Sequence, residues 1–330
     1  MKKIKVAING FGRIGRAFYK LAKQNENIEV IAVNDLTSLE NVNYLLKYDS
    51  VYGKSDCTLE GVKYLSEKDP TKLPWGDLGV DVVVESTGLF TSSDKAQAHI
   101  TAGAKRVVVT APLKDDPASV IKGETVLMAM NEEKLSTCQI SSNASCTTNA
   151  GSPLLAILDE AIGVEKALLN TVHAYTASQA IVDGPSKKDM REGRAAAQNI
   201  VPSSTGAAIA VTKIMTSLNG LFDGISIRVP VVTGSIVDIT FISKKNTTTE
   251  EVNAILKKAA SEARWKGIFT VTEEDLVSSD IKGNLHASIA DLAFTRVVGG
   301  NLVKVLAWYD NEMGYTNTLV RHVIEAGKLI

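Results

Sequence analysis

A short β-rich run, Ile4-Lys5-Val6-Ala7-Ile8, leads straight into Asn9-Gly10-Phe11-Gly12-Arg13-Ile14-Gly15-Arg16, and a helical pattern then continues to about Lys23. Three glycines spaced G-x-G-x-x-G between a strand and a helix leave few folds open. Each has a steric job that a side chain would spoil: a tight turn, close approach of the backbone to a pyrophosphate, and close helix–strand packing. The spacing alone is a weak signal, but the strand before it and the helix after it are the context it requires. A second strand at 28–34 ends at Asp35. A carboxylate there accepts hydrogen bonds from ribose hydroxyls and repels a 2′-phosphate, which favours NAD over NADP. It also reads as the cap of a helix opening at Thr37-Ser38-Leu39-Glu40, and the nearby Arg13 and Arg16 soften the discrimination.

Further strands at 81–85, 106–110 and 125–130, with a helix around 92–102, predict a doubly wound, mostly parallel sheet of Rossmann type. Ligands of such sheets sit at the carboxyl ends of the strands, where Thr87 and Thr110 lie. Either threonine serves equally well in an ordinary strand-to-helix turn.

At 330 residues the chain has room for two domains, each with its own core. Its formal net charge of −1 argues against a nucleic-acid or membrane surface as partner. No apolar run approaches the ~20 residues that span a bilayer, and the first residues lack a signal-peptide core. Three widely spaced cysteines give no disulfide framework, which predicts a reduced, cytoplasmic compartment. With four histidines and no close His/Cys cluster, no metal site is expected.

The texture changes after the run Ser142-Asn143-Ala144-Ser145-Cys146-Thr147-Thr148-Asn149. A strand-like stretch precedes it and a helical pattern follows at about 147–161, so Cys146 falls at or near a helix N-terminus. The macrodipole and unpaired N–H groups there favour an anion and are expected to lower the thiol pKa. A small buried cysteine behind a cap is the alternative. A strand at 167–175 places Leu169, Thr171, His173 and Tyr175 on one face. A long polar stretch at 176–202, holding Arg194, reads as a functional or interface loop. A helix at 205–218 precedes strands at 225–232 and 235–243. In the first of these, Ile225, Ile227 and Val229 alternate with Ser226 and Arg228, the pattern of a sheet with one covered face, with Arg228 pointing away from the apolar side. A helix at 248–264, strands at 285–295 and 302–309, and a last helix to about 328 complete an antiparallel sheet with helices.

Taken together, these motifs resemble phosphorylating glyceraldehyde-3-phosphate dehydrogenase of the glycolytic type. The likeness runs in order through the glycine turn, Asn34-Asp35-Leu36-Thr37, Lys47-Tyr48-Asp49-Ser50, the cysteine run, Thr171-Val172-His173-Ala174-Tyr175-Thr176, Ser204-Thr205-Gly206-Ala207-Ala208, Arg228-Val229-Pro230 and Trp308-Tyr309-Asp310-Asn311-Glu312. The resemblance implies a 1–145 NAD-binding domain on which a C-terminal helix of about 312–330 packs back, and a 146–311 catalytic domain. It implies that Cys146 attacks the aldehyde of glyceraldehyde 3-phosphate, with His173 as its base. Hydride transfer to NAD then leaves a thioester that inorganic phosphate cleaves. Cofactor contacts are implied for Gly10, Gly12, Arg13, Ile14, Gly15, Asp35, Lys68, Thr87, Thr110, Asn311 and Tyr315. Substrate and phosphate contacts are implied for Ser145, Cys146, Thr147, Thr176, Arg194, Thr205, Gly206 and Arg228. Arg194 has a second reading as a solvated surface charge. The resemblance also implies a homotetramer with the 176–202 loop at an interface.

Departures from the family pattern are Ala150, where a second cysteine is often found, and Ile209, in place of a lysine common after Thr-Gly-Ala-Ala. Lys68 stands where arginine is common. Two other readings are a sister activity on erythrose 4-phosphate and a nucleotide-sensing protein without catalysis. The second of these predicts damage at Cys146 or His173, and both are intact.

Overall fold

The computed structural model describes residues 2–186 and 189–330. The chain divides into two compact units, one formed by Met1–Ser145 with Thr316–Ile330 and the other by Cys146–Tyr315.

The first unit carries strands β1 (Ile4–Asn9), β2 (Ile28–Asn34), β3 (Tyr48–Asp49), β4 (Gly53–Lys54), β5 (Lys63–Leu65), β6 (Val82–Glu85), β7 (Arg106–Val109), β8 (Glu124–Thr125) and β9 (Ile140–Ser142). Seven of them form one sheet in the order β5-β2-β1-β6-β7-β9-β8. Its pairings are all parallel. Helices α1 (Arg13–Ala22), α2 (Leu39–Lys47), α3 (Trp75–Leu78) and α4 (Ser93–Thr101) lie along the connections. The central strands are near-continuous runs of valine, isoleucine and alanine, as expected of a sheet covered on both faces. Ala7, Val83, Val107 and Ile140 pack with Trp75 and Ala96 in one cluster. The strand expected at 125–130 stops at Thr125. Past it the chain turns, because Asn131 Oδ1 accepts the N–H of Leu127 and Ala129 adopts φ 66°.

The second unit holds α5 (Cys146–Ile162), β10 (Val164–Ala174), β11 (Val201–Ser204), α6 (Ala207–Ile214), β12 (Phe222–Val229), β13 (Ser235–Ser243), α7 (Thr249–Ala260), β14 (Phe269–Thr272), β15 (Ser288–Val298) and β16 (Leu302–Tyr309). Its sheet runs β11-β12-β10-β13-β16-β15-β14. It is predominantly antiparallel, with two parallel pairings, β10 with β12 and β14 with β15. Parallel neighbours need a crossover, which α6 supplies for the first pair. Helix α5 lies against the sheet through Gly151, where an added Cβ would sit 3.0 Å from Leu169. Thr248 caps α7 by accepting the Glu251 N–H, and the helix ends at Ala260, short of the expected 264. A last helix, α8 (Met313–Gly327), begins in the second unit and continues in the first.

One sequence reading is reversed in the structure. The apolar side of β12 is not the covered side: Ile225 is 54% exposed, whereas Ser226 is buried. The covered side is shared with Leu169, Thr171 and His173 of β10, because the parallel register sets Thr171 beside Ser226 and His173 beside Arg228. Arg228 points away from the apolar side as expected, and that direction takes it inward.

Candidate active site

In the first unit the three glycines sit where a side chain has no room or where a ligand needs some. Gly10 has φ 90°, and a Cβ there would lie 2.7 Å from the backbone nitrogen of Thr87. A Cβ on Gly15 would lie 2.3 Å from the carbonyl oxygen of Gly10. Over Gly12, by contrast, nothing lies within 4 Å, and no side chain caps the helix that Arg13 and Ile14 begin. An open, uncapped helix start is what a pyrophosphate requires. Asp35 stands at the end of β2, its carboxylate accepting N–H groups from Phe11 (2.7 Å) and Thr37 (2.9 Å). Burial works to raise its pKa, but those N–H groups and the Arg16 guanidinium outweigh burial and leave it lowered. The carboxylate is therefore ionised at neutral pH. Arg13 reaches Asp49 at 3.3 Å. Thr87 and Thr110 follow the ends of β6 and β7, and Lys68 is exposed just past Glu67. The set fits a dinucleotide with unphosphorylated ribose.

In the second unit Cys146 is the first residue of α5. Its Sγ lies 3.4 Å from Nε2 of His173, near the end of β10. On the other side of the imidazole, Nη1 of Arg228 lies 2.6 Å from Nδ1. A guanidinium has only donors, so the facing Nδ1 is an acceptor and Nε2 carries the proton toward sulfur. The carbonyl of Ala174, 2.7 Å from Nδ1, holds the opposite tautomer in reserve. Nε of Arg228 is buried without a hydrogen-bond partner. A buried cation with an unused donor is poised for an anion.

Burial pushes the Cys146 thiol up, against the opposing pull of Arg228 and of the Thr147 hydroxyl and N–H. This corrects the expectation of a lowered thiol: the helix start favours the thiolate, but desolvation outweighs it. Burial and then the charge of Arg228 bring His173 down to about 3. The resting pair is thus a neutral thiol beside a neutral imidazole. Cys146 nevertheless remains partly exposed, so a substrate can reach it.

Beneath the sulfur runs a chain of hydroxyls that the sequence reading missed. Tyr309 Oη lies 2.9 Å from Thr147 Oγ1 and 2.8 Å from Thr171 Oγ1, and its ring meets His173 edge-on with centroids 5.9 Å apart. Thr171 was marked only by sharing a strand face with His173. Tyr309, from β16, belongs to the 308–312 run that carries the resemblance, but that run gives it no role beside Cys146.

The remaining candidates are more scattered. Ser145 directly precedes α5. Thr205 Oγ1 accepts the N–H of Ala207 and Gly206 opens α6, with nothing within 4 Å of a Cβ placed there. Thr176 bonds to Ser178 at 3.0 Å. Arg194 is turned to Asp183 of its own loop at 2.9 Å, both exposed, and not to His173. Asn311 is buried, its Oδ1 accepting from Gly234 N and Ser235 Oγ, which leaves its amide nitrogen as the free donor. Tyr315 is buried in the first turn of α8. Among the described residues no group of three metal-ligating side chains occurs. No helix among them is long and apolar enough to cross a membrane.

Residues 4–93 match the family described as glyceraldehyde 3-phosphate dehydrogenase, NAD binding domain, and residues 145–311 match its C-terminal domain. The chain is 48% identical to a glyceraldehyde-3-phosphate dehydrogenase of Mycobacterium avium, over 98% of this chain and 99% of that protein. It is 45% identical to glyceraldehyde-3-phosphate dehydrogenase B of Aspergillus oryzae, over 98% and 99%. It is also 45% identical to glyceraldehyde-3-phosphate dehydrogenase A of Escherichia coli, over 97% and 99%. With both of the family's domains matched and nearly half of all positions shared end to end, the chain belongs to the glyceraldehyde-3-phosphate dehydrogenase family.

Proposed function

We propose that this chain oxidises glyceraldehyde 3-phosphate with NAD and inorganic phosphate to 1,3-bisphosphoglycerate, as a glycolytic enzyme whose nucleophile is Cys146. The observation that carries the reading is the approach of Sγ to within 3.4 Å of His173 Nε2, with a buried cation on the far side of the same ring.

An arriving phosphate draws Arg228 off Nδ1; the imidazole proton then moves from Nε2 to Nδ1, where it is hydrogen-bonded to Ala174 O, and Nε2 is free to take the thiol proton. The sulfur attacks the aldehyde carbon. The new oxyanion takes the proton from Nε2, giving a hemithioacetal on Cys146 and a neutral imidazole. Bound NAD supplies the hydride acceptor. As hydride leaves the carbon, Nε2 takes the hydroxyl proton and a thioester remains on Cys146. Phosphate oxygen then attacks the thioester carbon, the C–S bond breaks, and sulfur departs as a thiolate beside the imidazolium and the Thr147 hydroxyl. Ser145, Thr147, Thr176, Thr205, Gly206 and Arg228 hold the two phosphate groups, with Arg194 joining them once its exposed pair with Asp183 opens.

In the same reading, 1–145 with the final helix is the NAD-binding domain, using Gly10, Gly12, Arg13, Ile14, Gly15, Asp35, Lys68, Thr87 and Thr110. Residues 146–311 form the catalytic domain, with Asn311 and Tyr315 on the nicotinamide side. The protein assembles as a homotetramer, a reading supported by the exposed Leu168, Ile225 and Leu302 on the second sheet. A cytoplasmic location is supported by three free cysteines.

The test is NADH formation from aldehyde and NAD with and without phosphate, alongside Cys146→Ala. Turnover that needs phosphate and vanishes in the variant is expected, with NAD binding kept. Phosphate-independent release of free acid, wild-type turnover in the variant, or a higher kcat/KM for erythrose 4-phosphate would each defeat the proposal. Sedimentation of the purified protein checks the assembly.

A further inference from the structure

Three neighbouring strands of the first sheet end on buried polar residues in one row: Asn34 of β2, Asn9 of β1 and Glu85 of β6, paired in register. Such groups are costly in an apolar interior unless every polar atom is used. Here they are used in a single direction. The N–H of Glu67 donates to Asn34 Oδ1 (2.9 Å), Asn34 Nδ2 donates to Asn9 Oδ1 (2.7 Å), and Asn9 Nδ2 donates to Glu85 Oε2 (2.6 Å). Asn34 Nδ2 also returns a bond to Glu67 O at 2.9 Å.

The far end is fixed by His99 and Trp75. The indole N–H donates to His99 Nδ1 at 3.1 Å, and an indole nitrogen can only donate. Nε2 therefore carries the imidazole proton and gives it to Glu85 Oε2 at 2.9 Å. The other oxygen, Oε1, accepts both the N–H (2.8 Å) and the hydroxyl of Thr87. Every group around this carboxylate is a donor, so both of its oxygens act only as acceptors.

The two ends of this row are backbone turns at the mouth of the dinucleotide site. Glu67 precedes Lys68. Thr87 is the residue against which Gly10 packs, and Ser86 Oγ donates to Gly10 O. We infer that Glu85 and His99, both fully buried behind the strand ends, are positioning residues for NAD: the Glu85 carboxylate, held by His99, sets the orientation of both asparagine amides and so fixes the Thr87 turn and the Glu67–Lys68 turn together. The inference rests on the assignment of NAD to this unit. A neutral amide at position 85 would set a donor against one of the donors the carboxylate now accepts, and the ordering would be lost from that end.

The experiment is Glu85→Gln, read by fluorescence titration of NAD, by KM for NAD against kcat, and by the alkylation rate of Cys146. We expect the Kd and KM for NAD to rise at least five-fold, kcat to change by less than KM, and alkylation to stay at the wild-type rate. A variant that is folded by its melting transition and binds NAD within two-fold of wild type overturns the inference. A purely structural role would lower the melting midpoint without the selective change in NAD affinity. If Glu85→Gln does not fold, Asn34→Ala serves in its place. It severs the grip on Glu67 and leaves Glu85 bonded to His99 and Thr87, and unchanged NAD affinity there overturns the inference equally. Wild-type protein that binds no NAD would instead defeat the functional reading on which this rests.

Discussion

Nη1 of Arg228 approaches Nδ1 of His173 to 2.6 Å, on the side of the ring away from Cys146. The same cation lowers the pKa of both members of the pair, favouring the thiolate and disfavouring the imidazolium. Arg228→Met should therefore move both midpoints to higher pH. Alkylation of Cys146 by iodoacetamide at pH 7 is expected to slow at least ten-fold, equivalent to about 1.4 kcal/mol. An unchanged rate and midpoint would show that the guanidinium does not act on the sulfur.

Asp35 holds two backbone N–H groups and is kept ionised by them and by Arg16. Replacing it with asparagine removes the charge and turns a donor toward one of those N–H groups. Affinity for NAD should fall at least ten-fold, in line with a lost charge-assisted hydrogen bond worth about 1.5–3 kcal/mol. Discrimination against NADP should shrink with it. The ratio of kcat/KM for the two cofactors is the measurement, and a ratio equal to that of wild type counts against the ribose role.

His173 and His322 are both buried, and burial, joined at His173 by the charge of Arg228, brings each from 6.5 to about 3. Between those values the unfolded chain binds protons that the folded chain refuses. Stability is therefore complete above about pH 6.5 and falls as pH drops toward 3, by at most about 1.4 kcal/mol per pH unit for each histidine. His322 Nε2 lies 2.7 Å from Ser141 Oγ, so His322→Gln should lower the melting midpoint at pH 7. The same variant should lose less than wild type between pH 6.5 and 4.5. Parallel losses in the two proteins would refute the assignment.

A Cβ on Gly15 would stand 2.3 Å from the Gly10 carbonyl oxygen, and that atom belongs to backbone that cannot swing aside. Gly15→Ala should cost about 1–3 kcal/mol, as overpacking usually does. Gly12→Ala meets nothing within 4 Å, so it should melt close to wild type while weakening NAD binding. Calorimetry with and without NAD separates the two effects.

The parallel sheet was legible because its signals are local: glycines between a strand and a helix, then valine-rich runs at regular intervals. Cys146 at a helix start and His173 on a strand were also legible one at a time. The depth of the site was not. That Arg228 turns inward follows from β12 lying beside β10 in parallel register, and a period-two pattern does not say which face of a sheet is covered. Asn9, Asn34 and Tyr309 stand within recognisable motifs, but their partners come from strands far apart in sequence, and a motif does not say which side chains meet across a sheet. The expectation of a lowered thiol failed for a related reason. A helix terminus can be read from sequence, whereas desolvation depends on everything packed around the sulfur.

Helix α8 has a bearing on how the protein is made. His322 reaches Ser141, and Gly327 lies so close to Ile4 that a Cβ on it would be 2.5 Å from the isoleucine side chain. The half that leaves the ribosome first thus waits for the last helix before its packing is complete, while residues 146–315 can close sooner. A chain ended at residue 315 and released from the ribosome should be cut by protease within its first 145 residues and resist in the remainder.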